Sequence, residues 1–319
     1  MEQATGRTGV PEGTKIDFLT LSDFSRAQLD AILEIARRRK GEWRAGDAAE
    51  PLHGRVLGLV FHKPSLRTRI SFEVGMRQLG GSALYITDAE VGFGKREAIQ
   101  DIGAVMSRYL DAIMIRTFSQ EDVVALARAA SVPIINGLTD WVHPCQILSD
   151  LLTLTEHDCA PDGLTMAYIG DGNNVANSWV HAALHYEIDL RIASPAGFEP
   201  DAAALARVAR DGAGRVQVVH DARDAVRGAR VIYTDTWTSM GQEAEAEQRR
   251  QRFAAMQVNR ELLRLAHPEV RVMHCLPAHR GEEITDEVID GPHSIVYDQA
   301  ENRLHGQKGI LMYCLADGG

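Results

Sequence analysis

Short apolar runs that alternate with helix-like segments constrain the fold of this 319-residue chain more than any other feature. The runs are rich in β-branched residues, as is typical of the buried strands of a parallel sheet. The predicted strands are residues 55–61, 83–87, 111–116, 132–136, 164–169, 190–194, 215–219, 231–234, 271–275 and 294–297. Most segments between them place apolar residues at helical spacing. This alternation predicts an α/β fold in which helices cover both faces of a mainly parallel sheet.

A polar stretch at residues 157–163 interrupts this rhythm, and its proline and glycine are typical of a boundary between domains. A chain of 319 residues is long enough for two domains of about 150 residues each. We therefore predict two doubly wound domains joined by crossing terminal helices. The first covers residues 1–157 together with a C-terminal helix in 299–319 that packs back on it, and the second covers residues 158–298.

Composition narrows the class of protein and the kind of partner. A hydrophobic content of 45% and a charged content of 24% are ordinary for a soluble globular protein. No apolar run approaches the length of a membrane span, and the first fifteen residues lack the apolar core of a secretory signal. We therefore expect a cytoplasmic protein without a membrane partner, and the net charge of −10 argues against a nucleic-acid partner. The cysteines lack metal or disulfide spacing and are expected as free thiols, at Cys145, Cys159, Cys275 and Cys314.

The junction after the first predicted strand has the features of an anion site. Pro64 ends the strand, and Ser65 is a favourable N-cap for the helix that follows. The first backbone N–H groups of a helix are unpaired, and its dipole is positive at that end. The Thr68 hydroxyl and the guanidinium groups of Arg67 and Arg69 add further donors. Together they predict a site for a phosphate-sized dianion, although a capped helix with two solvated arginines is the simpler alternative.

Polar motifs follow several other predicted strands, where ligands bind in doubly wound sheets. Each motif alone has a simpler explanation: an isolated arginine usually forms a surface ion pair, and an isolated histidine is usually structural. In chain order the motifs are Arg116-Thr117, His143-Pro144-Cys145-Gln146, Gly170-Asp171-Gly172-Asn173-Asn174, Asp235 with Ser239-Met240-Gly241, His274-Cys275-Leu276-Pro277, and Arg303.

In this order, and together with Ser65-Leu66-Arg67-Thr68-Arg69, the motifs resemble the aspartate/ornithine carbamoyltransferase family from about residue 16 to 315. The pattern is that of the ornithine branch. The resemblance implies transfer of the carbamoyl group of carbamoyl phosphate to the side-chain amine of L-ornithine, giving L-citrulline and phosphate in arginine metabolism. It implies no cofactor and no metal, and a homotrimer or a multiple of trimers. Aspartate, putrescine and N-acetylornithine remain open as alternative amine acceptors.

The resemblance also implies roles for individual residues and for the two domains. Domain 1–157 would bind carbamoyl phosphate, and domain 158–298 would bind ornithine. The residues expected to contact carbamoyl phosphate are Ser65, Leu66, Arg67, Thr68, Arg116, His143, Gln146, Cys275, Leu276 and Arg303. The residues expected to be catalytic are Arg67, Arg116, His143 and Cys275. The residues expected to contact ornithine are Asn174, Asp235, Ser239 and Met240.

The chemistry of these residue types fits the implied reaction. Arginines can hold the phosphate and stabilise its departure, and Thr68, Arg116 and His143 can donate to the carbonyl oxygen. Gln146 and the backbone carbonyls of Cys275 and Leu276 can bind the carbamoyl NH₂ group. Asn174 is expected to bind the amino-acid carboxylate, and Asp235 the α-ammonium group. The mobile loop 236–250, with Ser239 and Met240, is expected to close over the amino acid. Cys275 is expected to position or deprotonate the amine.

Two positions depart from the family pattern. Leu66 stands where relatives commonly have serine or threonine, which matters little if the backbone makes the contact. The loop 88–96 lacks the glutamine that many relatives have near Gly92. Lys95 or Arg96 is expected to take its place, across a subunit boundary.

Two other classes of protein compete with this interpretation. A dinucleotide-binding dehydrogenase would use Gly170 and Gly172, but the third glycine is missing and strand 190–194 is not followed by a ribose-binding acid. NAD binding is therefore disfavoured. A non-catalytic amino-acid-binding relative is the second alternative, and the intact set of predicted catalytic residues argues against it.

Overall fold

The computed structural model describes residues 15–47, 49–92, 97–238 and 243–315, and these form two compact units. The first unit runs up to Leu152 and resumes at Asn302, and the second unit is Thr153–Glu301. Each unit contains one parallel sheet with helices. The predicted α/β class with two doubly wound domains is therefore confirmed.

The first unit contains strands β1–β4 and the helices between them. Its helices and strands are α1 (Arg26–Arg44), β1 (Val56–Phe61), α2 (Leu66–Gln78), β2 (Ser82–Thr87), α3 (Asp88–Val91), α4 (Ile99–Met106), β3 (Ala112–Arg116), α5 (Gln120–Ala129), β4 (Ile134–Leu138) and α6 (Pro144–Glu156), the last of which continues into the second unit. The strand order is β2-β1-β3-β4, and all pairs are parallel. Phe61 lies opposite Arg116, and Arg116 lies opposite Leu138, so three strands end side by side. The loops after these strands consequently start from one edge of the sheet.

The second unit repeats the alternation of strands and helices. Its elements are β5 (Thr165–Ile169), α7 (Asn174–Ala182), β6 (Asp189–Ala193), α8 (Ala202–Asp211), β7 (Arg215–Val219), α9 (Ala222–Val226), β8 (Val231–Thr234), α10 (Ala246–Phe253), α11 (Arg260–Leu263), β9 (Arg271–His274), α12 (Asp286–Ile289) and α13 (Val296–Leu315), which continues into the first unit. The strand order is β7-β6-β5-β8-β9, again fully parallel. Ile169 lies opposite Thr234, and Thr234 lies opposite His274. The residues after these three strands are therefore neighbours at one edge.

Aromatic side chains fill the core beside this edge. Tyr168 and Tyr233 stack with ring centroids 5.7 Å apart, and Trp179 meets Tyr233 edge-on at 5.8 Å. All three are fully buried. Burying rings of this size contributes a large share of the stability of a sheet–helix interface. It also fixes the strand β5 and the helix α7 that flank the Gly170–Asn174 turn.

Two segments differ from the prediction. Residues 294–297 do not form a strand: Ser294 makes only an isolated bridge to Val272, and helix α13 begins at Val296. A short apolar run is compatible with either a strand or the buried start of a helix. Here the buried residues Ile295 and Val296 belong to the start of helix α13. The predicted loop 236–250 contains a 3₁₀ turn at Glu243–Glu245 and the start of helix α10.

Among the described residues, no helix combines the length and the apolar character that crossing a membrane requires.

Candidate active site

The start of helix α2 carries the residues predicted to bind a phosphate group. Ser65 is the N-cap, because its Oγ accepts the Thr68 backbone N–H at 3.3 Å. The same hydroxyl donates to Thr68 Oγ1 at 3.0 Å. Leu66, the first residue of the helix, is 70% exposed, so its backbone N–H rather than its side chain is suited to a bound anion. The structure thus forms the capped helix start that the sequence predicts.

Arg303 reaches this helix start from α13. It is buried, and its Nη1 donates to Gln146 Oε1 at 2.6 Å while Nη2 donates to Thr68 Oγ1 at 3.3 Å. Gln146 Nε2 donates in turn to Asp150 Oδ1 at 2.9 Å. The Gln146 amide is therefore held at both ends, and its Oε1 keeps one lone pair that a ligand NH₂ group could use. Arg303, Thr68 and Gln146 are brought together as the sequence predicts.

Arg116 ends strand β3, and His143 lies in the loop that joins the neighbouring strand β4 to helix α6, in the same unit. Arg116 is the last residue of β3 and is buried, and His143 directly precedes α6 and is 5% exposed. Burial, followed by the positive charges of Arg303 and Arg116, holds the pKa of His143 well below its usual value. The imidazole is therefore neutral at pH 7. A neutral imidazole can donate one N–H without adding charge to the site.

The two arginines that flank Thr68 have different surroundings. Arg69 is exposed, pairs with Glu73 at 3.5 Å and lies over the Tyr85 ring at 4.0 Å. Arg67 is half-buried, and its guanidinium makes no ion pair or hydrogen bond with any other residue in the described part of the chain. Arg67 is consequently the one of the two that remains available to a ligand.

Asp235 follows strand β8 in the second unit and is held from three directions. Asn173 Nδ2 donates to its Oδ2 at 2.8 Å, and the Thr236 backbone N–H donates to its Oδ1 at 2.8 Å. The Cys275 Sγ also donates to Oδ1, at 2.8 Å. Asp235 is 8% exposed, so this carboxylate has a fixed orientation. The structure brings Asp235 and Cys275 together, as the sequence predicts.

Asn173 is a residue of this site whose role the sequence reasoning missed. Its Oδ1 caps helix α7 by accepting the backbone N–H groups of Val175 and Ala176, and its Nδ2 binds Asp235. The strong preference of asparagine for the N-cap position is the signal that could have identified it. Asn174 is instead the first residue of the helix, and its backbone carbonyl accepts the Ser178 hydroxyl at 2.8 Å.

Cys275 and Leu276 follow strand β9. Cys275 is partly exposed, whereas the other three cysteines are buried, and all four are free thiols. Leu276 has a φ of 57°, and its N–H donates to His274 Nδ1 at 2.9 Å. A bulky residue in the left-handed region is uncommon and needs such local support. The backbone at Cys275 and Leu276 is thus fixed in an unusual conformation.

Four predicted positions lie outside the described residues. Ser239 and Met240, expected to contact ornithine, belong to this group. Lys95 and Arg96, expected to replace the glutamine of the family pattern, belong to it as well.

Three side chains in the second unit offer potential metal-ligand atoms within 4.8 Å of one another, namely Asp235, His274 and Cys275. The sequence reasoning did not find a set of this kind, because Asp235 is distant along the chain. Each member is already engaged in hydrogen bonds: the Cys275 thiol binds Asp235, His274 Nδ1 accepts the Leu276 N–H, and His274 Nε2 meets Glu283 Oε1 at 3.0 Å.

The fold and the two groups of residues define a two-domain α/β protein with a candidate anion site in one unit and a carboxylate–thiol pair in the other. The family model described as "Aspartate/ornithine carbamoyltransferase, carbamoyl-P binding domain" matches residues 16–156. The model described as "Aspartate/ornithine carbamoyltransferase, Asp/Orn binding domain" matches residues 162–314. The chain belongs to the aspartate/ornithine carbamoyltransferase family.

Particular relatives lie in the ornithine branch of that family. The chain is 54% identical over 304 residues to the ornithine carbamoyltransferase of Symbiobacterium thermophilum, which covers 94% of this chain and 98% of the relative. It is 50% identical over 302 residues to that of Syntrophotalea carbinolica, covering 95% and 100%. The solved structure of ornithine carbamoyltransferase from Pyrococcus furiosus matches with a TM-score of 0.90 and 46% identity, covering 96% of this chain and 99% of that one.

Proposed function

We propose that this chain transfers the carbamoyl group of carbamoyl phosphate to the side-chain amine of L-ornithine, giving L-citrulline and phosphate. The observation that carries the proposal is the buried set of Arg303, Thr68 and Gln146 at the capped start of α2. It combines phosphate donors with an amide that suits the carbamoyl NH₂ group. Relatives named ornithine carbamoyltransferase, at 50–54% identity over nearly the whole chain, support ornithine as the acceptor.

The carbamoyl phosphate half of the chemistry is assigned to the first unit. The backbone N–H groups after Ser65 and the guanidinium of Arg67 bind the phosphate, whose negative charge grows as the C–O bond breaks. Arg116 and the neutral His143 donate to the carbonyl oxygen, which becomes an oxyanion when the amine attacks. The Oε1 atom of Gln146 accepts a hydrogen bond from the carbamoyl NH₂ group. We propose that the backbone carbonyls of Cys275 and Leu276 also accept hydrogen bonds from that NH₂ group.

The ornithine half is assigned to the second unit. Asp235 takes the α-ammonium group, because three donors fix the orientation of its carboxylate. Asn174, together with Ser239 and Met240, remains a proposed contact to the amino acid. The side-chain amine attacks in its neutral form: a C–N bond forms to the carbonyl carbon, phosphate leaves, and the amine loses a proton. The Cys275 thiol beside Asp235 is the proposed group for positioning that amine or taking up its proton.

Citrulline formation tests the proposal directly. Purified protein given carbamoyl phosphate and L-ornithine should release citrulline and phosphate in equal amounts, without any added cofactor or metal. Phosphate release without citrulline would indicate another acceptor or hydrolysis and would contradict the proposal. Putrescine and N-acetylornithine are the alternative acceptors within the family.

The domain roles and the setting of the enzyme belong to the same proposal. Residues 1–157 with 299–319 would bind carbamoyl phosphate, and residues 158–298 would bind ornithine. We propose a cytoplasmic enzyme of arginine metabolism, which its free thiols suit.

We also propose a homotrimer or a multiple of trimers. Three apolar side chains of α2 and of the edge strand β2 are at least half exposed, as expected for a surface that another copy covers: Leu66, Ile70 and Leu84. Light scattering should then give a mass of about three times 35.1 kDa, or a multiple of that. The mass of a single chain would contradict this part of the proposal.

A further inference from the structure

Helix α10 carries a buried arginine, Arg249, that the reaction as proposed above does not use. Its side chain is 5% exposed. Nη2 pairs with Asp171 Oδ2, and Nε donates to the carbonyl oxygen of Trp237. Nη1 lies 3.9 Å from Glu245 Oε2, one turn earlier. Each guanidinium nitrogen therefore has a protein oxygen as its neighbour, which marks Arg249 as a group that acts on the protein rather than on a ligand.

Aromatic rings hold the Arg249 guanidinium in place. It lies 4.9 Å from the centroid of Phe198 and 5.3 Å from that of Phe253. The two rings meet edge-on at 4.8 Å, and Phe253 stacks on Trp237 at 6.0 Å. A desolvated cation over aromatic faces is attracted by the negative faces of the rings. The orientation of the guanidinium is consequently fixed from two sides.

Asp171 follows strand β5 and is buried. Burial raises its pKa to about 6, Arg249 opposes that rise, and the negative charge of Asp235 adds to it. Asp171 and Asp235 thus repel each other at neighbouring strand ends. Two buried carboxylates that repel each other cannot both remain ionised at low cost unless a cation compensates one of them.

We propose that Arg249 is a positioning residue for the amino-acid substrate. It compensates the charge of Asp171, so that Asp235 is the carboxylate left to bind an ammonium group. It also fixes the carbonyl of Trp237, two residues after Asp235, and thereby the direction in which the chain leaves strand β8. This inference rests on the proposed function and specifies how its ornithine half is built.

Steady-state kinetics of four variants test the inference. Arg249→Met keeps most of the side-chain volume and removes the charge. Asp171→Asn removes the charge of its partner, and the double variant removes both. Arg250→Met is the matched control, because Arg250 is the next residue on the same helix but is exposed and pairs with Glu247 and Glu282.

We expect Arg249→Met to raise the KM for ornithine by about tenfold or more, while the KM for carbamoyl phosphate changes by less than about twofold. Adding Asp171→Asn to it should recover at least about threefold of that loss, since no buried carboxylate is then left without its cation. Arg250→Met should leave both KM values within about twofold of wild type. A purely structural role would raise both KM values together.

Several results would overturn the inference. One is an equal rise of the two KM values in Arg249→Met, and another is a double variant that is as poor as Arg249→Met. If Arg249→Met does not fold, Arg249→Gln gives the same comparison, because glutamine can still donate to the Trp237 carbonyl but carries no charge, and an unchanged ornithine KM in Arg249→Gln contradicts the inference. Citrulline formation by the wild-type protein is measured first, so that a failure of the proposed function is seen separately.

Discussion

Replacing Arg303 with methionine should weaken the use of carbamoyl phosphate by about two orders of magnitude. The guanidinium is buried and donates to Gln146 Oε1 at 2.6 Å and to Thr68 Oγ1 at 3.3 Å. These two bonds hold the guanidinium at the helix start, where Arg303 is proposed to donate to carbamoyl phosphate; a hydrogen bond from a charged donor contributes about 1.5–3 kcal/mol, so we take about 3 kcal/mol for its loss. At about 1.4 kcal/mol per tenfold, kcat/KM for carbamoyl phosphate should fall by about 10².

The same substitution should change the pH dependence. Burial is the largest cause of the lowered pKa of His143, and the charges of Arg303 and Arg116 come next. Removing Arg303 raises the pKa of His143, so the imidazole becomes charged at a higher pH than in the wild-type protein. If neutral His143 donates to the carbonyl oxygen, the acidic limb of kcat/KM should move to higher pH.

Initial rates of citrulline formation from about pH 5 to about pH 9 measure both effects. Arg69→Met is the control, because Arg69 is exposed and its pairing with Glu73 at 3.5 Å is solvent-screened. That variant should stay within about twofold of wild type. An Arg303→Met enzyme with an unchanged KM for carbamoyl phosphate and an unchanged acidic limb would refute the reasoning.

Three further predictions concern single side chains. Arg67→Ala should lower turnover by about 10² or more without loss of folding, and near-normal turnover at saturating carbamoyl phosphate would contradict the phosphate assignment. Asp235→Asn keeps the shape of the group that binds Asn173 but removes its charge, so kcat/KM should fall further for ornithine than for N-acetylornithine, whose α-nitrogen is a neutral amide; equal losses would argue against an ammonium contact. Asp171 has a folded pKa of about 6, above the ordinary value near 3.9, so the native protein binds one more proton than the unfolded chain between about pH 4 and pH 6. The free energy of unfolding should therefore fall by up to about 3 kcal/mol as the pH rises through that window. The free energy of unfolding measured with urea should fall less with rising pH in Asp171→Asn than in the wild-type protein. Identical pH profiles for the two proteins would contradict this prediction.

The sequence predicts the strands and the capped start of helix α2 well because both have local causes. Short buried runs such as Val56–Phe61 become parallel strands, and a serine before an apolar helix becomes its N-cap, as Ser65 does. Motifs that follow strands are brought to one edge by the parallel topology alone. This is why the sequence places Phe61 and Arg116 at the same edge of the sheet, although it carries no information on their contacts.

The features that the sequence does not reveal depend on contacts between distant segments or on polar segments. The sequence predicts a loop where helix α10 forms, because this segment is almost wholly polar and has only two buried residues, Arg249 and Phe253. The Arg249–Asp171 pair joins residues 78 positions apart. Asn173 and Asn174 are adjacent and alike, so only the placement of the N-cap shows that Asn173 holds Asp235.

The acceptor preference tests the central claim most directly. L-ornithine, putrescine, N-acetylornithine and L-aspartate are each supplied with saturating carbamoyl phosphate, and kcat/KM is measured for every acceptor. A wrong head group leaves a charged or polar group poorly paired, at a cost of about 1–3 kcal/mol or more. With the proposed ammonium site at Asp235 and the proposed carboxylate contact at Asn174, ornithine should exceed each alternative by at least about 10². A higher kcat/KM for putrescine or N-acetylornithine than for ornithine would contradict the account.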